Sequence, residues 1–230
     1  MLASCRNNDL AIYDYIDKPF CAASSFCYYL GYKSRQIYGI NANLNPEALF
    51  LTVYPDWTSD HAGPRDQIPQ YVKMWKTTSY RDGLSGCPES EHNRVMTSLT
   101  LKKYEKISSE NTLLFLDRVK YEIRSANPVI MDLPLYSSYI SSFTSGLIQA
   151  PVCGGPKALG RHLVLIDGYN DCLFADKNLV DVGKGCLMVV NCWGTSWGMD
   201  GYGFVPYQFF TSSNMSIAHI FQVAKSESTQ

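Results

Sequence analysis

Three residue types in this chain could together perform nucleophilic chemistry: Cys21, His162 and Asn191, with the cysteine lying 141 and 170 residues ahead of the other two. A thiolate is a strong nucleophile, an imidazole can take and return its proton, and a carboxamide can orient the imidazole without adding charge. A nucleophilic cysteine followed by distant His and Asn partners roughly 130 to 150 residues downstream is a known arrangement for such enzymes. Taken singly, each residue has a plainer reading, since a cysteine in a helical apolar pattern is most often core. The stretch NCWGTSWGMDGYGFVPY, residues 191–207, adds weight. Its two tryptophans and clustered glycines make a poor plain strand, because glycine weakens a ladder and marks turns or close backbone approach.

Positioning these residues is a matter of the elements around them. Pro19 and the apolar run after it predict a helix beginning at or just before Cys21 and reaching Tyr32, which places the sulfur at the positive end of the helix dipole, with Lys18 nearby. Ala23, Phe26, Cys27 and Leu30 fall at helical spacing and face the core, so Cys27 reads as packing. Helical patterns also cover Asn45–Val53, Gln67–Thr78 and Asn111–Ser125, the last stopped by Asn127-Pro128. Short β-prone runs cover Thr97–Ile107, Pro128–Leu133, His162–Gly168, Leu187–Asn191 and Gly201–Val205. His162 thus opens a strand and Asn191 ends one. A helical part followed by a strand-rich part predicts an α+β fold, divided into residues 1–95 and 96–230, with the site in the cleft between.

Composition narrows the function classes. With 46% hydrophobic and 18% charged residues over 230 positions, the chain is a folded globular protein. A net charge of -1 gives no basic surplus for nucleic acid. The longest apolar runs are far below the roughly 18 residues of a membrane span. The eight cysteines show no Cys-x-x-Cys and no paired ligand spacing, so no metal site is expected. Cys172 and Cys186 could form a loop staple, although free thiols are favoured. His61, His92 and His219 sit in polar surroundings and read as surface or loop residues.

The 191–207 stretch resembles the signature of the papain-like cysteine peptidases, Asn-Ser-Trp-Gly-x-Ser-Trp-Gly followed by Gly-Tyr-Gly, with Cys192 in place of the serine. RHLVLIDGYND at 161–171 is similar to that family's His strand, CAASSFCYYLGY at 21–32 to the nucleophile helix of its bacterial branch, and GLSGCPES at 83–90 to a loop of the same branch. The resemblance implies a two-lobed papain-like fold, with the strand-rich half barrel-like. It implies peptide-bond hydrolysis through a thioester on Cys21, with His162 as base and acid, Asn191 as orienter, and Trp193 shielding the His–Asn bond. No cofactor is implied; the partner is a peptide or protein substrate, and the expected state is a monomer. A deamidase or transglutaminase, or a catalytically weak peptide-binding module, are alternatives on the same scaffold.

Two positions depart from the pattern. Where the family has a glutamine six residues before the nucleophile, donating to the oxyanion, this chain has Tyr15; Asn7 or Asn8 in CRNND are alternatives, alongside the backbone amide of Cys21. Losing one oxyanion donor costs about 100 to 1000-fold in turnover. Arg161, just before His162, either tunes substrate choice or lowers the histidine pKa. The polar start MLASCRNNDL carries no secretory signal, so the expectation is a cytoplasmic protein or one exported by a non-classical route, into a host in the furthest reading.

Overall fold

In a computed structural model, the described residues are 2–4, 11–16, 18–42, 44–58, 67–79, 91–137, 139, 144–148, 157–173, 185–210 and 215–226. The GLSGCPES loop, Asn7, Asn8 and His61 lie outside them, as does the side chain of His92.

Helix α1 spans Cys21–Tyr38, starting at the expected residue and continuing past the expected Tyr32. Its end is set by Gly39, whose left-handed φ of 70° lets its N–H bond the Arg35 carbonyl at 2.8 Å. Most of α1 is buried around its circumference, as befits a helix enclosed by protein. Helix α2 (Pro46–Val53) starts with Asn45 accepting from the Ala48 N–H at 3.1 Å and Pro46 in the first turn. Helices α3 (Ile68–Ser79) and α4 (Glu91–Ser98) follow. Trp75 of α3 donates its indole N–H to the carbonyls of Met96 at 3.0 Å and Leu99 at 3.1 Å, pinning the point where α4 becomes strand β2 (Leu99–Ser108). Thr97 and Ser98, expected in that strand, complete the last turn of α4 instead. Burial of Val95 and Met96 on the helix outweighs the β preference of Thr97.

Helix α5 (Thr112–Arg124) is capped by Asn111, which accepts from the Leu114 N–H at 3.2 Å. Strands β3 (Val129–Leu135), β4 (Gly160–Asn170), β5 (Cys186–Val190), β6 (Tyr202–Pro206) and β7 (Ile217–Lys225) complete the sheet, together with β1 (Leu2–Ser4). Strand order is β2-β7-β3-β4-β5-β6, antiparallel throughout. Along β4, residues Gly160–Ile166 pair with β3, whereas Gly168–Asn170 pair with β1, so the chain's beginning joins the sheet. The architecture is α+β, with α1 laid against β4 and β3.

Strand β7 carries no clear signal in the sequence, and His219 lies within it. The histidine is not a surface or loop residue: it is 2% exposed, inside a strand flanked by β2 and β3. Its Nδ1 bonds the Tyr104 hydroxyl at 2.8 Å, and burial pushes its pKa down to about 3, helped by the cations Lys106 and Arg161. Two residues along, Phe221 packs against Phe26 of α1 at 5.7 Å and Trp75 at 6.3 Å, joining helices and sheet in one core.

Candidate active site

The first N–H groups of a helix have no partner within it. Cys21 opens α1 with no side-chain cap from Phe20, so its sulfur stands among free amides. It is a free, half-buried thiol, approached by the backbone N–H groups of Ala22 and of Leu163, the residue after His162. These amides favour the thiolate, but burial disfavours it more strongly, and the Asp132 carboxylate adds to that, so the thiol pKa lies above its ordinary value. The helix terminus alone leads one to expect the reverse. Desolvation of the sulfur outweighs the dipole here.

His162 is 4% exposed. Its Nε2 lies 2.8 Å from Asn191 Oδ1, and that same oxygen accepts the Cys192 N–H at 2.9 Å. An atom that accepts a backbone N–H is the carbonyl oxygen, so Nε2 must carry the ring hydrogen and Nδ1 keeps a lone pair. Burial holds the imidazole pKa down to about 4, while the Asn191 bond opposes this. Arg161, expected either to tune substrate choice or to lower this pKa, is not among the groups that shift it.

Asn191 is fixed by its backbone. Its N–H donates to Gly201 O at 3.0 Å, and its carbonyl accepts the Tyr28 phenol of α1 at 3.1 Å. The segment before the nucleophile runs beside the segment after Asn191: Tyr15 N–H donates to Cys192 O at 2.7 Å, and Gly194 N–H to Tyr13 O at 2.9 Å. That close approach explains one glycine of the 191–207 stretch. Gly194 has φ of 77°, and a Cβ there would come within 2.9 Å of Asp14 Cγ.

Trp193 covers the pair, its ring 4.8 Å from the His162 ring at 37°, and is itself 7% exposed. Tyr139 completes the enclosure, 5.4 Å from His162 and 5.0 Å from Trp193, with Trp197 behind. Sequence reasoning missed Tyr139, because no local pattern announces a tyrosine that becomes important only through the fold. It also missed Ser24, one turn along α1 from Cys21, whose hydroxyl faces the buried Cys192 thiol.

Tyr15 packs edge-on against Phe20 at 5.2 Å, and its phenol is met by the Glu47 N–H at the start of α2. The phenol oxygen accepts that amide, which leaves its O–H as a donor. Cys172 and Cys186 are both free thiols, one exposed and one buried. Among the described residues no group of His, Cys, Asp and Glu is arranged to hold a metal ion, and no helix is long and apolar enough to cross a membrane.

This fold, with His162 and Asn191 bonded across neighbouring strands, is papain-like. The family profile described as papain family cysteine protease matches residues 65–220, which include His162 and Asn191 but begin after Cys21. The chain belongs to the papain family of cysteine proteases. Among curated proteins, an uncharacterized peptidase C1-like protein, L477, of Acanthamoeba polyphaga mimivirus is 25% identical over 119 residues, half of this chain and 34% of that protein. The chain therefore spans about a third of that relative's length. Among solved structures, xylellain, a cysteine protease from Xylella fastidiosa, is similar with a TM-score of 0.67 at 14% identity, covering 97% of this chain and 86% of that one. Bromelain protease from Ananas comosus, solved in complex with the inhibitor E64, gives 0.61 at 16% identity, covering 96% of this chain and 99% of that one. At such identities these likenesses establish the fold.

Proposed function

We propose that the protein hydrolyses peptide bonds through a thioester on Cys21, with His162 as proton carrier and Asn191 as its orienter. Residues of about 1–95 supply the thiol and those of about 96–230 the imidazole and amide, with the substrate between. The observation that carries this reading is the doubly accepting Asn191 Oδ1, 2.8 Å from His162 Nε2 and 2.9 Å from the Cys192 nitrogen, which leaves Nδ1 as a bare base. The next backbone amide along β4, that of Leu163, meets the Cys21 sulfur.

Sulfur attacks the substrate carbonyl carbon as the thiol proton passes to His162 Nδ1. The tetrahedral oxyanion is held by the Cys21 backbone N–H, with the phenol O–H of Tyr15 as the candidate second donor. Collapse breaks the C–N bond, and the amine leaves with the proton from Nδ1. A water then gives its proton to the same nitrogen and attacks the thioester, releasing the acid and restoring the thiol. Trp193 keeps water from competing for the His–Asn bond.

Incubation with a mixed peptide set, read by mass spectrometry, tests the reading. Chain shortening by the wild type but not by Cys21→Ala is the expected result. A gain of about one dalton at glutamine without cleavage would make the protein a deamidase, and peptide binding without turnover would make it a binding module.

A further inference from the structure

The antiparallel ladder sets a charged pair beside the proposed nucleophile. Asp132 of β3 lies directly opposite Leu163 of β4, and paired residues share a sheet face. Arg161, two residues before Leu163, projects to that same face, and its Nε reaches Asp132 Oδ1 at 2.8 Å. The Leu163 amide and the Asp132 carboxylate both act on the Cys21 thiol. Arg161 directly precedes His162 in β4 and Asp132 opposes the residue that follows it, so the pair stands beside the proposed base.

The guanidinium is oriented rather than free. Nη2 donates to Asp132 O at 3.1 Å and Nη1 to Met215 O at 3.2 Å, so each of its nitrogens is bound once by the protein. Three of its five N–H groups are thus held by the protein and two remain for a ligand. Exposure assigns the roles within the pair: the Arg161 side chain is 41% exposed and Asp132 only 15%, so the arginine faces an incoming ligand and the aspartate supports it from behind.

We propose that Arg161 is a specificity determinant that selects peptides bearing a glutamate or aspartate side chain within a residue or two of the scissile bond. This rests on the peptidase reading for the identity of the ligand, a peptide, but not for the selectivity itself. An ordered, half-exposed fork loses little freedom when it pairs, and an oriented Arg–carboxylate bond is worth roughly a factor of ten in affinity.

The test uses peptide sets in which each position in turn is Glu, Gln or Lys. Cleavage rates are measured with the wild type, and binding to the Cys21→Ala protein is followed by fluorescence anisotropy. At one position Glu should exceed Gln by about tenfold, and Arg161→Gln should bring that ratio near one. Arg161→Lys, keeping charge but losing the fork, should fall between. The Glu-to-Gln ratio within one variant cancels any general change in rate or folded fraction. Equal handling of Glu and Gln by the wild type, a preference untouched by Arg161→Gln, or a Lys preference served by Asp132 would each overturn the proposal. Absence of cleavage alongside an Arg161-dependent Glu preference in binding would instead overturn the peptidase reading and keep this one; binding of no peptide at all overturns both.

Discussion

The phenol of Tyr28, two turns along α1 from Cys21, donates to the backbone carbonyl of Asn191 at 3.1 Å while accepting the Tyr13 N–H at 2.8 Å. One buried hydroxyl thus links the helix that carries the thiol to the residue that holds the imidazole.

Tyr28→Phe should take the donor from that buried carbonyl and the acceptor from the part-buried Tyr13 N–H. Each such loss costs about 1 to 3 kcal/mol, so the urea midpoint should fall with little change in slope. Peptide turnover should fall as well, because the α1-to-Asn191 distance is no longer fixed.

Trp193→Ala should let water reach His162. Burial is what lowers that pKa to about 4, so admitting water must raise it toward the ordinary value. The acid limb of the activity profile should move up in pH, with the loss larger at pH 5 than at pH 7. A two-dimensional NMR titration of the ring carbons reads the same shift directly.

Two buried imidazoles make the fold sensitive to acid. His162 is held down to about 4 and His219 to about 3, while an unfolded histidine titrates near 6.5. Between those values the unfolded chain binds more protons, so stability rises with pH there and is lost as pH falls from about 6.5 through about 4. Thermal midpoints should drop across that window, by roughly 2 to 4 °C per kcal/mol, and His219→Gln should flatten the slope.

Glycine positions separate strain from collision. Gly39, at φ of 70° with nothing within 4 Å of the place an added Cβ would take, should cost about 1 kcal/mol as alanine. Gly194, at φ of 77° and facing Asp14 Cγ at 2.9 Å, should cost roughly 2 to 4 kcal/mol. It should also disturb turnover, because it lies next to Trp193.

Much of this architecture is legible in the chain because local signals agree with burial. Pro19 announces the start of α1, Asn45 and Asn111 cap their helices, and the apolar run after His162 can only be a covered strand. The hydrogen bond between His162 and Asn191 follows from strands β4 and β5 being neighbours, which a sequence motif can suggest. What stayed hidden depends on distant partners. His219 looks polar until β2 and β3 close around it, Tyr139 gains its place only by meeting Trp193, and the raised Cys21 pKa arises from packing that a helix dipole does not convey. Tyr15, expected as an oxyanion donor from its place in the chain, also has its phenol oxygen accepting the Glu47 N–H at the start of α2, a contact no local pattern announces.

The most direct measurement is acid quenching of the protein during reaction with an activated peptide ester, followed by peptide mapping of the adduct. A thioester should appear on Cys21, form much more slowly in His162→Ala, and be absent from the exposed free thiol of Cys172. Acylation of Cys172 in preference to Cys21, or a Cys21 adduct whose rate ignores His162, would contradict the account.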